Sequence, residues 1–113
     1  MTAKNTLLAA PPYAVEAALK RLGGDLRTAR LRRNLTIQEL AARIGTGVRA
    51  VSDAERGKPS TSAAVYTAML WAFDLLPQLD DVARPERDEE GQLLSLGRER
   101  GRARQKSGLS NDF

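Results

Sequence analysis

Between Thr36 and Lys58 the chain reads TIQELAARIGTGVRAVSDAERGK. The second half of this stretch carries Arg49, Ser52 and Asp53 at spacings that put them on one side of a helix. Only Val48, Val51 and Ala54 could anchor that helix to a core. A guanidinium, a hydroxyl and a carboxylate make a hydrogen-bonding face. They do not make a catalytic one. The sequence contains no His and no Cys, which removes imidazole bases, thiolate nucleophiles, disulfides and the usual zinc ligands. Catalysis would fall to carboxylates and hydroxyls, and no constellation of these resembles an enzyme site. No enzyme activity, cofactor or metal is therefore expected. The helix is expected to touch a partner.

The distribution of charge says what kind of partner. The net charge is +4 and the pI about 10, but the charges come in blocks. Lys20, Arg21, Arg27, Arg30, Arg32 and Arg33 form a basic block. Asp80, Asp81, Glu86, Asp88, Glu89 and Glu90 form an acidic one, and Arg98, Arg100, Arg102, Arg104 and Lys106 a second basic one. A basic chain without catalytic side chains points to a polyanion. No apolar run approaches the ~20 residues that span a bilayer, and the opening MTAKNTLLAAPPY is too short in its apolar part for a signal peptide. A cytoplasmic location is the expectation.

The elements that must position the face are all helical. With 113 residues, 42% hydrophobic but only 4% aromatic, one small domain is expected, with a core of Leu, Ala, Val and Ile. Residues 1–12 read as a flexible N-terminal arm. Pro11 and Pro12 suit a helix start. Val15, Ala18, Leu19 and Leu22 continue it, Gly23 and Gly24 interrupt or bend it, and it resumes from Asp25 to Arg33 with Leu26 inward. Asn34 suits a left-handed helix end. Thr36 and Glu39 form a capping box, and Ile37, Leu40, Ala41 and Ile44 give one apolar stripe. Gly45 stops that helix; Gly47 opens the next, which ends at Gly57. Ser60, Thr61 or Ser62 caps a fourth helix with Tyr66, Met69, Leu70 and Phe73 on its core face. A short fifth follows Pro77 with Leu79 and Val82. The expected division is 13–83 as the helical domain, 84–100 as an acidic-to-basic helical extension, and 101–113 as a disordered basic tail.

The spacing of Ala41, Gly45 and Val51 predicts how two of these helices meet. A small residue in one helix allows close approach, the glycine makes the sharp turn, and the buried Val locks the second helix across the first. That is a helix-turn-helix, with the outer edge of its second helix available to a major groove. The segment LRTARLRRNLTIQELAARIGTGVRAVSDAERGK as a whole resembles the lambda-repressor-like, or Xre, helix-turn-helix family. The family's elements stand here as Leu26-Arg27-Thr28-Ala29-Arg30, Leu35-Thr36, Glu39-Leu40-Ala41, Gly45 and Glu55-Arg56-Gly57. The resemblance covers about Leu22 to Leu75. It implies an all-α, five-helix domain that binds double-stranded DNA, with Arg30 and Glu55 as a structural ion pair.

Position by position, the resemblance implies phosphate contacts at Thr36, Gln38, Lys58 and Ser60, and base contacts at Gly47, Val48, Arg49, Ser52 and Asp53. Arg49 can hold a guanine through two acceptors, Val48 can meet a thymine methyl, and Ser52 can bond either way. Two positions depart from the family. Ile37 stands where a polar residue is common, and Asp53 puts a negative charge near DNA. Asp53 could accept from a cytosine amine, or pair with Arg49 or Arg56.

The flanks PPYAVEAALKRLGGDLRTARLRR and VYTAMLWAFDLLPQLDDVARPERDEEG resemble HipB-like antitoxins encoded beside HipA-like serine/threonine kinases. That resemblance implies a homodimer on an inverted-repeat operator that also holds a kinase toxin inactive. On the fourth helix, Val65, Ala68, Trp71 and Ala72 make a second apolar stripe off the core face, a candidate for the dimer or partner contact. A stand-alone prophage-type repressor, and an interaction module that no longer binds DNA, are the competing readings.

Overall fold

The computed structural model describes residues 5–111, and among these there are helices and turns but no strand. The helices are α1 (Thr6–Ala9), α2 (Tyr13–Arg32), α3 (Ile37–Ile44), α4 (Val48–Glu55), α5 (Ala63–Ala72) and α6 (Glu89–Asn111). Two 3-10 helices, Leu76–Asp81 and Pro85–Arg87, lie between α5 and α6. The chain divides into two compact units after Leu79, a few residues before the boundary expected at 83.

In the first unit the core is small and almost wholly aliphatic. Leu26 of α2, Leu40 and Ala41 of α3, Val51 and Ala54 of α4, and Met69 of α5 are buried, together with Phe73 just past the end of α5. Leu22, Ala29, Leu35, Ile37, Ile44, Tyr66 and Leu70 pack around them. α2 to α5 each contribute to this core, but on α2 the expected stripe packs only from Leu22 onward, and Val15 and Ala18 are exposed.

α2, α3, α4 and α5 end in the same way. A residue one or two positions past each carries a left-handed backbone: Asn34 (φ 54°), Gly45 (φ 80°), Gly57 (φ 70°) and Asp74 (φ 58°). The following amide then donates to the carbonyl five residues back: Leu35 to Arg30 (3.3 Å), Thr46 to Ala41 (2.9 Å), Lys58 to Asp53 (3.0 Å) and Leu75 to Leu70 (2.8 Å). This closes the last turn and reverses the chain within a few residues. The starts are equally local. Thr36 and Glu39 complete both halves of the capping box, and Ser62 Oγ accepts from the Val65 amide at 3.3 Å. Of the three candidates for that last cap, Ser62 is the one used.

The glycine pair in α2 works differently from the expectation. α2 runs unbroken from Tyr13 to Arg32. Gly23 is buried because α4 ends against it: a Cβ there would collide with the backbone carbonyls of Ala54 and Glu55. Gly24, next door, faces open space. Gly57 is doubly constrained, by its positive φ and by the Leu19–Lys20 backbone of α2, which a Cβ would meet at 2.6 Å.

Four further expectations need correction. Part of the N-terminal arm forms α1, because Asn5 caps it through Oδ1 and the Leu8 amide; residues 1–4 lie outside the described residues. The fifth helix is 3-10 in form, and its Leu79 and the following Val82 are exposed. On α5, Val65 and Ala72 pack against the core, and only Trp71 of the second stripe is fully outside, 56% exposed. The segment from Gly101, read as disordered, continues α6 to Asn111. Its Arg, Gln, Lys and Ala residues are good helix formers, so composition alone does not separate a helix from a loose tail there; residues 112–113 lie outside the described residues.

The second unit is built on α6. Asp88 caps it by accepting from the Gly91 amide at 3.0 Å, and Gln92 Nε2 donates to the Pro85 carbonyl at 2.9 Å.

Candidate nucleic-acid interface

α3 and α4 pack across Leu40, Ala41, Val51 and Ala54, all buried. With that side of α4 committed, its periodicity turns Arg49, Ser52 and Asp53 the opposite way. Arg49 is exposed, Ser52 and Asp53 half-buried, and Val48 is 44% exposed at the helix start. Gly47 is the N-cap of α4 at φ −79°, with open space where a Cβ would stand. Any residue could adopt that backbone.

The ends of α4 are flanked by the expected phosphate-facing groups. At its start, Thr36, Gln38 and Val48 border one surface groove of about 450 Å3. At its end, Lys58 and Ser60 are exposed in the loop before α5. Thr36 is less available than its position suggests. Its hydroxyl accepts from the Glu39 amide at 3.0 Å and its own amide donates to Glu39 Oε1 at 3.1 Å. The bond from the Thr36 backbone, then that of its hydroxyl, holds the Glu39 carboxyl below its ordinary range. The Gln38 side chain is exposed, and the first amides of a helix have no partner within it.

Arg30 and Glu55 meet as a fork: Nε to Oε2 at 2.6 Å and Nη2 to Oε1 at 3.0 Å, with the two side chains 8% and 5% exposed. Arg30 Nη1 also donates to the Leu35 carbonyl at 2.8 Å. The hydrogen bond to Glu55 raises the Arg30 pKa. One guanidinium thus ties the end of α2, the turn after it and the end of α4.

Arg33 is likewise structural. It donates to the Phe73 carbonyl at 2.9 Å and sits over the Phe73 ring, 5.1 Å from its centre, so it caps α5 and shields the core. Lys20 pairs with Glu16 at 2.9 Å. The first basic block is therefore not one uniform patch: Arg30 is buried, Arg33 is exposed but tied to Phe73, and Arg21, Arg27 and Arg32 are exposed.

Of the two arginines expected as partners, Asp53 takes Arg56, which donates through Nη2 at 2.6 Å, with Lys58 Nζ 3.7 Å from its other oxygen. The Arg56 bond, with Lys58 and Arg49 nearby, holds the Asp53 carboxyl below its usual range. It remains a carboxylate, so it accepts and never donates. Arg56 is one of the two arginines expected as a partner for Asp53. Its signal was present: Asp53 and Arg56 are three apart, the spacing of neighbours on a helix surface.

Residues 26–75 match the family model described as Helix-turn-helix. This segment is a helix-turn-helix domain. The match begins at Leu26 within α2, spans α3, α4 and α5, and ends at Leu75, so the pair of helices described above lies wholly inside it. It supports placing the segment with lambda-repressor-like DNA-binding transcription regulators. No curated protein and no solved structure matches the chain. Among the described residues, no helix is long and apolar enough to cross a membrane.

Proposed function

We propose that this chain is the antitoxin of a type II toxin–antitoxin pair: a homodimer that represses its own operon at an inverted-repeat operator and neutralises a HipA-like serine/threonine kinase. The observation that carries the DNA-reading half is the outer edge of α4, where Arg49 is exposed and Ser52 half-buried while only Val51 and Ala54 of this helix enter the core. In this reading Val48, Arg49, Ser52 and the open N-cap at Gly47 meet base edges. Gln38, Lys58 and Ser60, with the start of α3 at Thr36, meet phosphates on either side. Two copies would set their α4 helices about 34–36 Å apart, one turn of duplex.

The kinase half is supported by the resemblance of the flanks to HipB-like proteins and by Trp71. An indole 56% exposed beside half-buried Ala68 is the kind of side chain that anchors a protein contact. The test uses the purified chain, the duplex upstream of its own reading frame, and the product of the adjoining gene. The reading expects a shift on that duplex and not on a scrambled one, and loss of the neighbour's kinase activity when the chain is added. Operator binding without any effect on the neighbour would leave a stand-alone repressor. No preference for the upstream duplex would leave an interaction module.

A further inference from the structure

α6 carries a stripe in alternating steps of four and three residues: Glu89, Leu93, Leu96, Arg100 and Ala103. That is the spacing of a coiled-coil seam. All five are exposed, Leu93 by 70% and Leu96 by 48%, and Leu94 beside them by 56%. The 3-10 turn Pro85–Arg87 covers another side of the helix: Pro85 shares a groove with Asp88, Gln92, Ser95 and Glu99, which Leu96 borders and Leu93 does not. Among the described residues, no ion pair engages Glu89 or Arg100.

The order acid, leucine, leucine, base is its own complement when reversed. A second copy laid antiparallel, with the two-fold axis passing between Leu94 and Ser95, sets Leu93 against the partner's Leu96 and Glu89 against the partner's Arg100. The two-fold repeats both contacts. The flanks agree, since the acids at Glu86 and Asp88 then run toward the partner's arginines at Arg102 and Arg104. A parallel pairing would instead stack glutamate on glutamate and arginine on arginine. Seam charges set orientation in just this way, and an isologous contact requires a self-complementary patch. We propose that α6 is a self-pairing surface, an antiparallel contact between two copies of this chain.

The inference deepens the dimeric reading given above by assigning its contact to α6 rather than to Trp71. It does not depend on DNA. Two leucine layers with charged flanks make a small interface, of the weak class, so the association is expected in the micromolar range. Two operator half-sites would strengthen it by holding both copies together.

The experiment is sedimentation equilibrium of the full chain without DNA, on wild type, Glu89→Arg, Arg100→Glu, the double swap, and an equimolar mixture of the two single variants. Each single variant places like charges opposite one another twice and should self-associate at least about tenfold more weakly. The double swap and the mixture restore opposite charges at both positions and should return to within about threefold of wild type. A wild type that stays monomeric to about 100 μM, well above the affinity expected of so small an interface, would overturn the proposal. So would single variants that associate like wild type, or a mixture no stronger than its components. DNA enters none of these measurements, so failure here leaves the reading of α4 intact, and failure to bind an operator leaves the pairing of α6 intact.

Discussion

Asp53 stands where a DNA-reading helix has least use for negative charge, and its partners give a reason. It holds Arg56 by a 2.6 Å hydrogen bond and lies 3.7 Å from Lys58. Two cations at the end of α4 are thereby partly neutralised before any DNA arrives. Asp53→Asn should release both. Affinity for scrambled duplex should rise, and its salt dependence should steepen by about one unit for each cation that reaches a phosphate. Titrations at two salt concentrations check this; unchanged nonspecific binding would mean that neither cation faces DNA. Arg30 and Glu55 differ, because their fork is almost fully buried. Arg30→Ala or Glu55→Ala should each cost about 3–5 kcal/mol by leaving a lone buried charge. The double variant should cost less than the sum of the two. Equal and small losses in denaturant melts would show the pair to be idle. The resemblance had named this pair from residue types alone. The partners of Asp53 were not legible in that way, since both Arg49 and Arg56 lay within reach and only backbone geometry chose between them.

The helices and their ends were the most legible features. Apolar stripes, the Thr36–Glu39 box, Asn34 and Gly45 are local signals, and local signals survive folding. The fourth left-handed end, at Asp74, carries neither the glycine nor the asparagine that most often marks such a helix end. The glycine pair of α2 was misread because close approach by another element leaves no trace in the helix's own sequence. Gly23 and Gly24 therefore make a matched test. Gly24→Ala has open space in a helix interior and should stabilise the domain by about 0.5–1 kcal/mol. Gly23→Ala must push α4 away from α2 and should destabilise it by about 1–3 kcal/mol. Thermal melts that move in the same direction for both would contradict the close crossing of α2 and α4.

At the scale of the whole molecule, the first unit presents α4 and the second a long exposed helix, and the two were unequally visible beforehand. The fold class and the helix-turn-helix followed from spacing and resemblance. The length of α6 did not, because no leucine between Leu96 and Leu109 marks a face, and composition alone does not separate a helix from a loose tail there. Nor does an off-core stripe announce its occupant, as Val65 and Ala72 show by packing inward. The central claim is that Arg49 on α4 reads bases. It is tested most directly by selecting a preferred duplex from a random pool with the wild-type chain, then measuring the affinity of Arg49→Ala for that duplex and for a scrambled one. The account predicts a loss of about 1–3 kcal/mol on the selected duplex, with relaxed preference at one base pair and little change on the scrambled one. An equal loss on both would make Arg49 a phosphate contact, and no loss on either would mean that α4 is not the element that reads DNA.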